Sequence, residues 1–411
     1  MTDYREPDYR LLKSELGKRL YAAIYDGIPI RSDFLKGIPP PPRRFPESKT
    51  ALPVVSRVKY AVPADYVPSL TILVHFYQDF GVVDEEKISI LQTLAMTHGL
   101  HVGIEGPSGS GKSYLVQGLV ELLPKEQVYS LELASDKAVF YDTARLNRAR
   151  FIIVPELQKP LKDRNGSTIE VVKTLTEGRD LDRLVARAQG PVTHQKISGK
   201  DKVLLYTLAT ENSFKKDAEL SRRFIVLYTD TSQEHVQHVL AETAHRRFAG
   251  QKKCLSDADI RTLKCYLASL IDLQDVVIRD PFTLFMRQHI PQIPKAISVI
   301  NHYDHLLHAL TKFYHPRRVR DGRNVFTALE DQYQLFLLYH ANFLQNLQDV
   351  APEVVIPPAP EVDWESCFKS GLEAMARQYP QQLNTWLDRQ IVDNKLVVHH
   401  PLTGESLTVV S

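Results

Sequence analysis

The sequence predicts an α/β fold: a parallel sheet flanked by helices, followed by an all-α segment and a small C-terminal module of helices and a hairpin. Strand-like apolar runs alternate with helical patterns from about residue 85 to about residue 230, and this alternation is typical of βαβ units. A glycine-rich loop joins the first of these strands to a helix. Residues 232–350 show helical periodicity and no clear strand pattern.

The composition is that of an ordinary globular protein. Of 411 residues, 43% are hydrophobic and 24% are charged, so a peptide-sized or disulfide-stapled scaffold is excluded. The 51 basic and 49 acidic side chains leave a formal charge of +2, which indicates no particular partner. The three cysteines lack CxxC spacing and no apolar run is long enough to span a membrane, so we expect a soluble protein of the reducing cytoplasm.

Two proline-rich breaks divide the chain. Residues 39–42 are four consecutive prolines, and residues 352–360 form a second proline-rich stretch; such segments favour extended linkers over core structure. The predicted organisation is an N-terminal helix and proline-rich strap (1–60), the core with the sheet (61–231), the helical segment (232–350), a linker (351–363) and a C-terminal module (364–411).

The strongest signal is a phosphate-binding motif. The pattern GxxxxGK[ST] is matched by Gly106, Pro107, Ser108, Gly109, Ser110, Gly111, Lys112 and Ser113. The loop follows a predicted strand at residues 101–104 and opens a helix at Tyr114, the context in which backbone N–H groups surround phosphates. Lys112 is expected to reach the β- and γ-phosphates, and Ser113 to hold Mg²⁺. The motif predicts a P-loop NTPase that binds ATP and Mg²⁺.

A second motif follows the predicted strand at residues 151–154. There the chain continues with Pro155 and Glu156, and the segment resembles the second motif of the AAA+ ATPases, four apolar residues followed by Asp-Glu. The resemblance implies that Glu156 polarises the attacking water. Pro155 stands where the family carries an Mg²⁺-linked aspartate, and a proline cannot coordinate a metal. Metal binding would then rest on Ser113, the phosphates and water, which leaves the rate of hydrolysis open.

Later residues extend the AAA+ resemblance. A predicted strand at 203–209 is followed by Thr210 and Asn212. One of these two residues stands at the family's polar sensor position and would orient the water that attacks the γ-phosphate. Arg222 and Arg223 precede the last core strand, as the family's arginine finger does. Such a finger reaches the γ-phosphate bound by the adjacent subunit, so the resemblance implies an oligomeric ring or filament. The alternative is that both arginines are surface charges.

The segment after residue 232 resembles the lid of helicase-like AAA+ proteins. Lys295 opens a helix where many of them carry a sensor arginine, so we count it among the nucleotide contacts. The C-terminal module, with the order helix, helix, hairpin, is similar to a winged helix. Such a module binds DNA or, alternatively, packs against or docks a protein.

Two basic stretches could follow nucleic-acid phosphates. The first basic stretch contains Arg187, Lys196, Lys200 and Lys202, and the second contains Arg317, Arg318, Arg320 and Arg323. The first resembles the pre-sensor hairpin that helicase-type AAA+ proteins, among them the minichromosome-maintenance group and some primase-helicases, project into a central pore. The contacts would be to phosphates and not to bases. For both stretches the alternative is a solvated loop.

The leading hypothesis is therefore an AAA+ ATPase that oligomerises and translocates on or remodels nucleic acid, a helicase-like motor. The alternative is a slowly hydrolysing, ATP-dependent assembly switch or loader that acts on a protein or DNA, which Pro155 favours. A protein-remodelling machine is a weaker third hypothesis, because no aromatic-hydrophobic-glycine pore loop is found.

Overall fold

A computed structural model describes most of the chain beyond residue 61. The described residues are 62–63, 66–131, 142–155, 157, 167–185, 193–209, 222–250, 253–273, 275–291, 293, 296–351, 355–356 and 358–410. The predicted N-terminal helix and strap (1–60) lie outside them.

The described residues form thirteen strands and twelve α-helices. The strands are β1 (Val102–Glu105), β2 (Val128–Ser130), β3 (Phe151–Val154), β4 (Leu181–Val185), β5 (Thr193–Ile197), β6 (Val203–Leu208), β7 (Ile225–Tyr228), β8 (Val277–Arg279), β9 (Arg320–Asp321), β10 (Asn324–Phe326), β11 (Ile391–Val392), β12 (Lys395–His399) and β13 (Ser406–Val410). The helices are α1 (Leu70–Phe80), α2 (Glu86–His98), α3 (Lys112–Leu122), α4 (Thr143–Arg148), α5 (Ser167–Thr176), α6 (Gln233–Ala249), α7 (Asp257–Asp272), α8 (Thr283–Gln288), α9 (Ile297–Phe313), α10 (Leu329–Val350), α11 (Trp364–Gln378) and α12 (Leu383–Gln390).

The central sheet has five parallel strands in the order β2-β3-β6-β1-β7. Alternate residues of each strand enter two separate apolar clusters. On β1 and β6, Val102, Ile104 and Leu205 pack with helices α1, α2 and α3, while Leu204 and Leu208 face the other side. Both faces are therefore covered, as the near-continuous apolar strands predicted. The predicted α/β core is confirmed.

The segment after β7 is not purely helical, so the prediction of an all-α lid is wrong in this respect. Strands β8, β10 and β9 form a small mixed sheet, with β8 and β10 parallel and β9 and β10 antiparallel. These strands have only two or three residues. A period-two pattern needs more residues than that to be visible in a sequence.

The predicted helix, helix and hairpin of the C-terminal module are confirmed as α11, α12, β12 and β13, to which β11 adds a third strand. The module packs against the preceding segment. Phe282 and Phe326 share its apolar core, and the Trp386 indole donates to the carbonyl of Thr327 at 2.9 Å. A Cβ on Gly371 would lie 2.2 Å from the ring of Phe282, so the packing of α11 at this point requires glycine. The winged-helix likeness itself stays a prediction.

Within the described ranges, no helix is both long and apolar enough to cross a membrane.

Candidate functional site

The glycine-rich loop leaves the carboxyl end of β1 and leads directly into α3. Gly109 and Gly111 adopt positive φ angles of 87° and 79°, a region that favours glycine. Gly111 is the residue before the first turn of α3, so the N–H groups of that turn face the space enclosed by the loop. The positive end of the helix dipole points the same way. The predicted anion-binding geometry is present.

The Lys112 ammonium lies over the loop and bonds to its oxygen atoms. Its Nζ donates to the Gly106 carbonyl at 2.8 Å and to the Pro107 carbonyl, and lies 3.2 Å from Ser110 Oγ. Partial burial lowers the pKa of Lys112. An ammonium group held over the loop by carbonyl oxygens can exchange those contacts for phosphate oxygens.

The side chains that would meet the metal and the rest of a nucleotide are open to solvent. Ser113 and Pro107 to Gly109 are exposed, and Tyr114 is 55% exposed. The ring of Tyr114 lies beside Gly81, at the end of α1. Ser113 is thus accessible to an Mg²⁺ ion that a bound triphosphate would bring.

A hydroxyl at the end of the edge strand β7 contacts the phosphate loop. The Thr229 hydroxyl, directly after β7, lies 2.9 Å from Ser110 Oγ and 3.3 Å from the Glu105 carbonyl oxygen. A Cβ on Gly106 would lie 1.9 Å from Thr229 Oγ1, so only glycine fits there. Sequence reasoning missed Thr229, although a polar residue at the end of a buried strand was a usable signal.

Glu105 is a second residue that the sequence reasoning missed. It is 2% exposed, directly precedes the loop and accepts a hydrogen bond from the Tyr206 hydroxyl at 2.9 Å. Burial and the neighbouring Glu105 carboxyl raise the pKa of Tyr206 well above its ordinary value. The Tyr206 ring passes over Gly103, where a Cβ would lie 2.1 Å from Cζ. This bond holds the carboxylate on the face of the sheet opposite to α3.

The strands β3, β6 and β7 of the central sheet end at the same edge as the loop. Val154 of β3 is in register with Tyr206 of β6, and Glu105 is in register with Leu208 and Tyr228. Pro155 continues from β3 at this edge, and Leu157 N donates to the Thr207 carbonyl at 3.0 Å. Ligands of open α/β sheets bind at this edge. Five residues with predicted roles lie outside the described residues: Glu156, Arg187, Thr210, Asn212 and Lys295.

The two candidate finger arginines differ in their surroundings. Arg223 forms an ion pair with Glu177 and donates to the Lys173 carbonyl at 2.7 Å, so it is bound to the end of α5. Arg222 is exposed. Both precede β7, whose Ile225 N bonds to the His101 carbonyl at the amino edge of the sheet. A four-residue strand spans about 13 Å, so Arg222 lies at the edge opposite to its own phosphate loop.

The first basic stretch includes an antiparallel hairpin, β4 and β5, between α5 and β6. Lys200 is exposed, and Lys196 is exposed but paired with Asp180 at 2.8 Å. Lys202 is only 7% exposed and donates to the carbonyls of Leu146 and Asn147, both at 2.8 Å, and of Ala149. It binds the C-terminal end of α4, and is not available to a nucleic-acid phosphate, contrary to the prediction.

The second basic stretch also divides into buried and exposed members. The Arg318 side chain is 8% exposed and forms a two-pronged contact with the fully buried Asp331, the shortest bond being 2.6 Å. Its predicted contact with nucleic acid is therefore excluded by its burial. Arg317 donates to the Val67 carbonyl at 3.0 Å. Arg320 is exposed, and the exposed Arg323 pairs with Asp275 at 3.0 Å.

Comparison with known families agrees with this geometry. Residues 69–272 match the family model described as "MTBMA_p00010 P-loop domain". This part of the chain is a P-loop domain. The matched range holds the whole five-stranded sheet, the phosphate loop and the first helices after β7. A search of curated proteins found no match. The P-loop domain is consistent with nucleotide binding and with NTP hydrolysis.

Proposed function

We propose that the protein is an AAA+ ATPase that binds ATP with Mg²⁺, oligomerises, and translocates on or remodels nucleic acid. The observation that carries the proposal is the phosphate loop at the carboxyl edge of a parallel sheet, with the ends of β3, β6 and β7 beside it. Lys112 and the N–H groups of α3 would hold the phosphates, and Ser113 the Mg²⁺ ion.

Residues of the same edge would complete the catalytic step. Glu156 follows Pro155, which leaves β3 at this edge, and would polarise the water. Asn212, three residues beyond the last residue described after β6, would sense the γ-phosphate. Lys295 would contact the nucleotide from the segment beyond α6. Mg²⁺ would compensate the charge of the phosphates, and the chain supplies the serine hydroxyl and the fixed donors around it.

Two structural features support oligomerisation and action on nucleic acid. Exposed Arg222 lies at the edge of the sheet away from its own loop, where it would serve the site of an adjacent subunit. The β4–β5 hairpin leaves the sheet between β3 and β6 and carries exposed Lys196, with exposed Lys200 directly after it. Arg187, between its strands, and the exposed Arg320 and Arg323 would add further phosphate contacts.

The alternative function is a slowly hydrolysing ATP-dependent switch or loader. Pro155 favours it, because its side chain has no atom that could ligate the Mg²⁺ ion. The motor and the switch share the nucleotide site and differ in turnover.

Steady-state ATP turnover with and without single-stranded and duplex DNA distinguishes the two. We expect turnover to rise several-fold with DNA. Tight ATP binding with near-zero turnover under all conditions would favour the switch and contradict the motor.

Lys112→Ala should weaken ATP binding by at least about 30-fold in Kd, because two or more charge-assisted bonds to phosphate disappear. The matched control is Lys125→Ala, whose exposed lysine lies just beyond α3; ATP binding that survives in Lys112→Ala would contradict the assignment of the loop.

A further inference from the structure

A cavity of about 300 Å³ lies at the amino edge of the central sheet, away from the phosphate loop. Its lining residues show this position, because they include Val203 at the start of β6 and Gly99 just before β1. The end of α7, the start of β8 and the end of α9 contribute the remaining walls, several of them apolar. Neither the predicted nucleotide site nor the basic hairpin explains this cavity.

Positive charge dominates the polar lining of the cavity. Arg150, Lys202 and Lys312 reach it from three different parts of the chain, together with His98; Asp201 is the one carboxylate among the described lining residues. Lys312 is only 9% exposed. No ion pair within 4.0 Å joins Arg150 or Lys312 to a carboxylate of the described part of the chain.

Two nitrogen atoms of the lining residues lack hydrogen-bond partners in the described part of the chain. Arg150 Nε and His98 Nδ1 are buried and form no hydrogen bond with any described residue. Arg150 Nη1 donates to the Ile271 carbonyl at 3.2 Å, so the guanidinium is held in place while one of its donors stays unused. A buried donor without a partner costs about 1–3 kcal/mol, and native structures keep few of them.

Arg150 disfavours the charge of Lys312, whereas Asp201 and Asp272 favour the charge of Arg150. Burial and, second, the charge of Arg150 lower the pKa of Lys312 to about 8, while Asp272 acts in the opposite direction. Burial lowers the pKa of His98 to about 3, with Lys312 as the largest charged contributor. Lys312 gains some stabilisation from its place in the last turn of α9. That gain does not explain why Arg150 Nε is unpaired, nor why Arg150, Lys202 and Lys312 lie around one cavity.

We propose that this cavity is a second ligand site that binds a small phosphate-type anion, either inorganic (phosphate or diphosphate) or the diphosphate of a nucleotide. Arg150 and Lys312 would provide the positive charge and the charge-assisted hydrogen bonds to phosphate oxygens. Lys202, which donates to three backbone carbonyls at and just beyond the end of α4, adds positive potential to the cavity. The site goes beyond the proposed ATPase function and does not depend on it.

Calorimetric titration of pyrophosphate, without Mg²⁺ and at constant ionic strength set with chloride, tests the site. The titrations use the Lys112→Ala background, so that the phosphate loop does not contribute. We expect saturable 1:1 binding that becomes at least tenfold weaker when Lys312→Met is added. Lys87→Met is the charge-matched control, because Lys87 is an exposed lysine of α2, and should leave pyrophosphate binding unchanged.

A second measurement separates a ligand site from a purely structural role. In chloride buffer Lys312→Met should raise the melting temperature, since it removes a buried, unpaired charge. Pyrophosphate should raise the melting temperature of the Lys112→Ala parent but not that of the variant that also carries Lys312→Met. Val276→Asp, at the half-buried wall of the cavity, should also weaken pyrophosphate binding at least tenfold.

Titration with ADP identifies the source of the anion. If ADP binds more tightly than pyrophosphate, the ligand is a nucleotide; if ADP binds more weakly, the ligand is a free anion. No binding in the Lys112→Ala background, or equal binding by Lys312→Met, would overturn the proposal.

Discussion

At the scale of single residues, the phosphate loop depends on side chains that its motif does not contain. Thr229 lies 119 residues after Ser110 in the sequence, yet the two hydroxyl oxygens are 2.9 Å apart. Thr229 N also donates to the Glu105 carbonyl at 3.0 Å, which fixes the end of β7 to the end of β1. The loop is therefore supported by the neighbouring strand as well as by its own glycines.

Thr229→Val should weaken ATP binding with little change in fold stability. Valine keeps the branched shape but removes the hydroxyl next to Ser110, so the loop loses a support of about 1 kcal/mol, or about fivefold in Kd. Titration of a fluorescent ATP analogue measures this change. Thr229→Ser, which retains the hydroxyl, should bind ATP like the parent. Equal affinities for the valine and serine variants would contradict the supporting role.

At the scale of secondary-structure elements, the basic stretches show what a sequence can and cannot reveal. The strands β3, β6 and β7 were predictable because each is a continuous or nearly continuous apolar run. The phosphate loop, and with it β1, was predictable because its motif is contiguous and directly follows that strand. Lys202 and Arg318 look like surface charges in the sequence. Their partners are carbonyls of α4 and a carboxylate thirteen residues away, contacts that exist only after the elements have packed.

The Arg318–Asp331 pair should stabilise the region that joins β9 and β10 to α10. Asp331 is fully buried, and the two carboxylates Asp331 and Glu330 raise the pKa of Arg318 against the effect of its burial. Arg318→Met would leave a buried carboxylate without its cation, a loss of about 3–5 kcal/mol in the free energy of unfolding. Guanidinium unfolding followed by tryptophan fluorescence measures it, because both tryptophans, Trp364 and Trp386, lie in the adjacent apolar cluster.

Arg320→Met is the matched control for that prediction. Arg320 lies two residues away in the same basic stretch, but is exposed. Its replacement should change the free energy of unfolding by no more than about 0.5 kcal/mol. If both variants unfold at the same denaturant concentration, the Arg318–Asp331 pair does not stabilise this region.

At the scale of the whole molecule, the position of the arginines before β7 bears on assembly. Arg223 is engaged by Glu177 and by the end of α5 within its own subunit, which is the environment of a structural arginine. Arg222 is exposed at the amino edge, and its backbone carbonyl contacts His302 Nε2 of α9 at 3.0 Å. The contact holds the backbone at Arg222 in place while its guanidinium remains accessible to another copy of the chain.

A mixing experiment with two inactive variants tests whether ATPase sites are shared between subunits. Arg222→Ala keeps its phosphate loop but lacks the proposed finger, whereas Glu156→Gln keeps the finger but lacks the proposed catalytic carboxylate. In mixed oligomers the loop of the first variant meets the finger of the second, so ATP turnover should exceed the sum of the two separate activities. Arg223→Ala should instead lower the melting temperature, which Arg222→Ala leaves unchanged. The two variants are combined as dissociated subunits, and turnover is measured where light scattering shows that oligomers have formed. Turnover in the mixture that only equals the sum of the separate activities would mean that Arg222 does not act across a subunit interface.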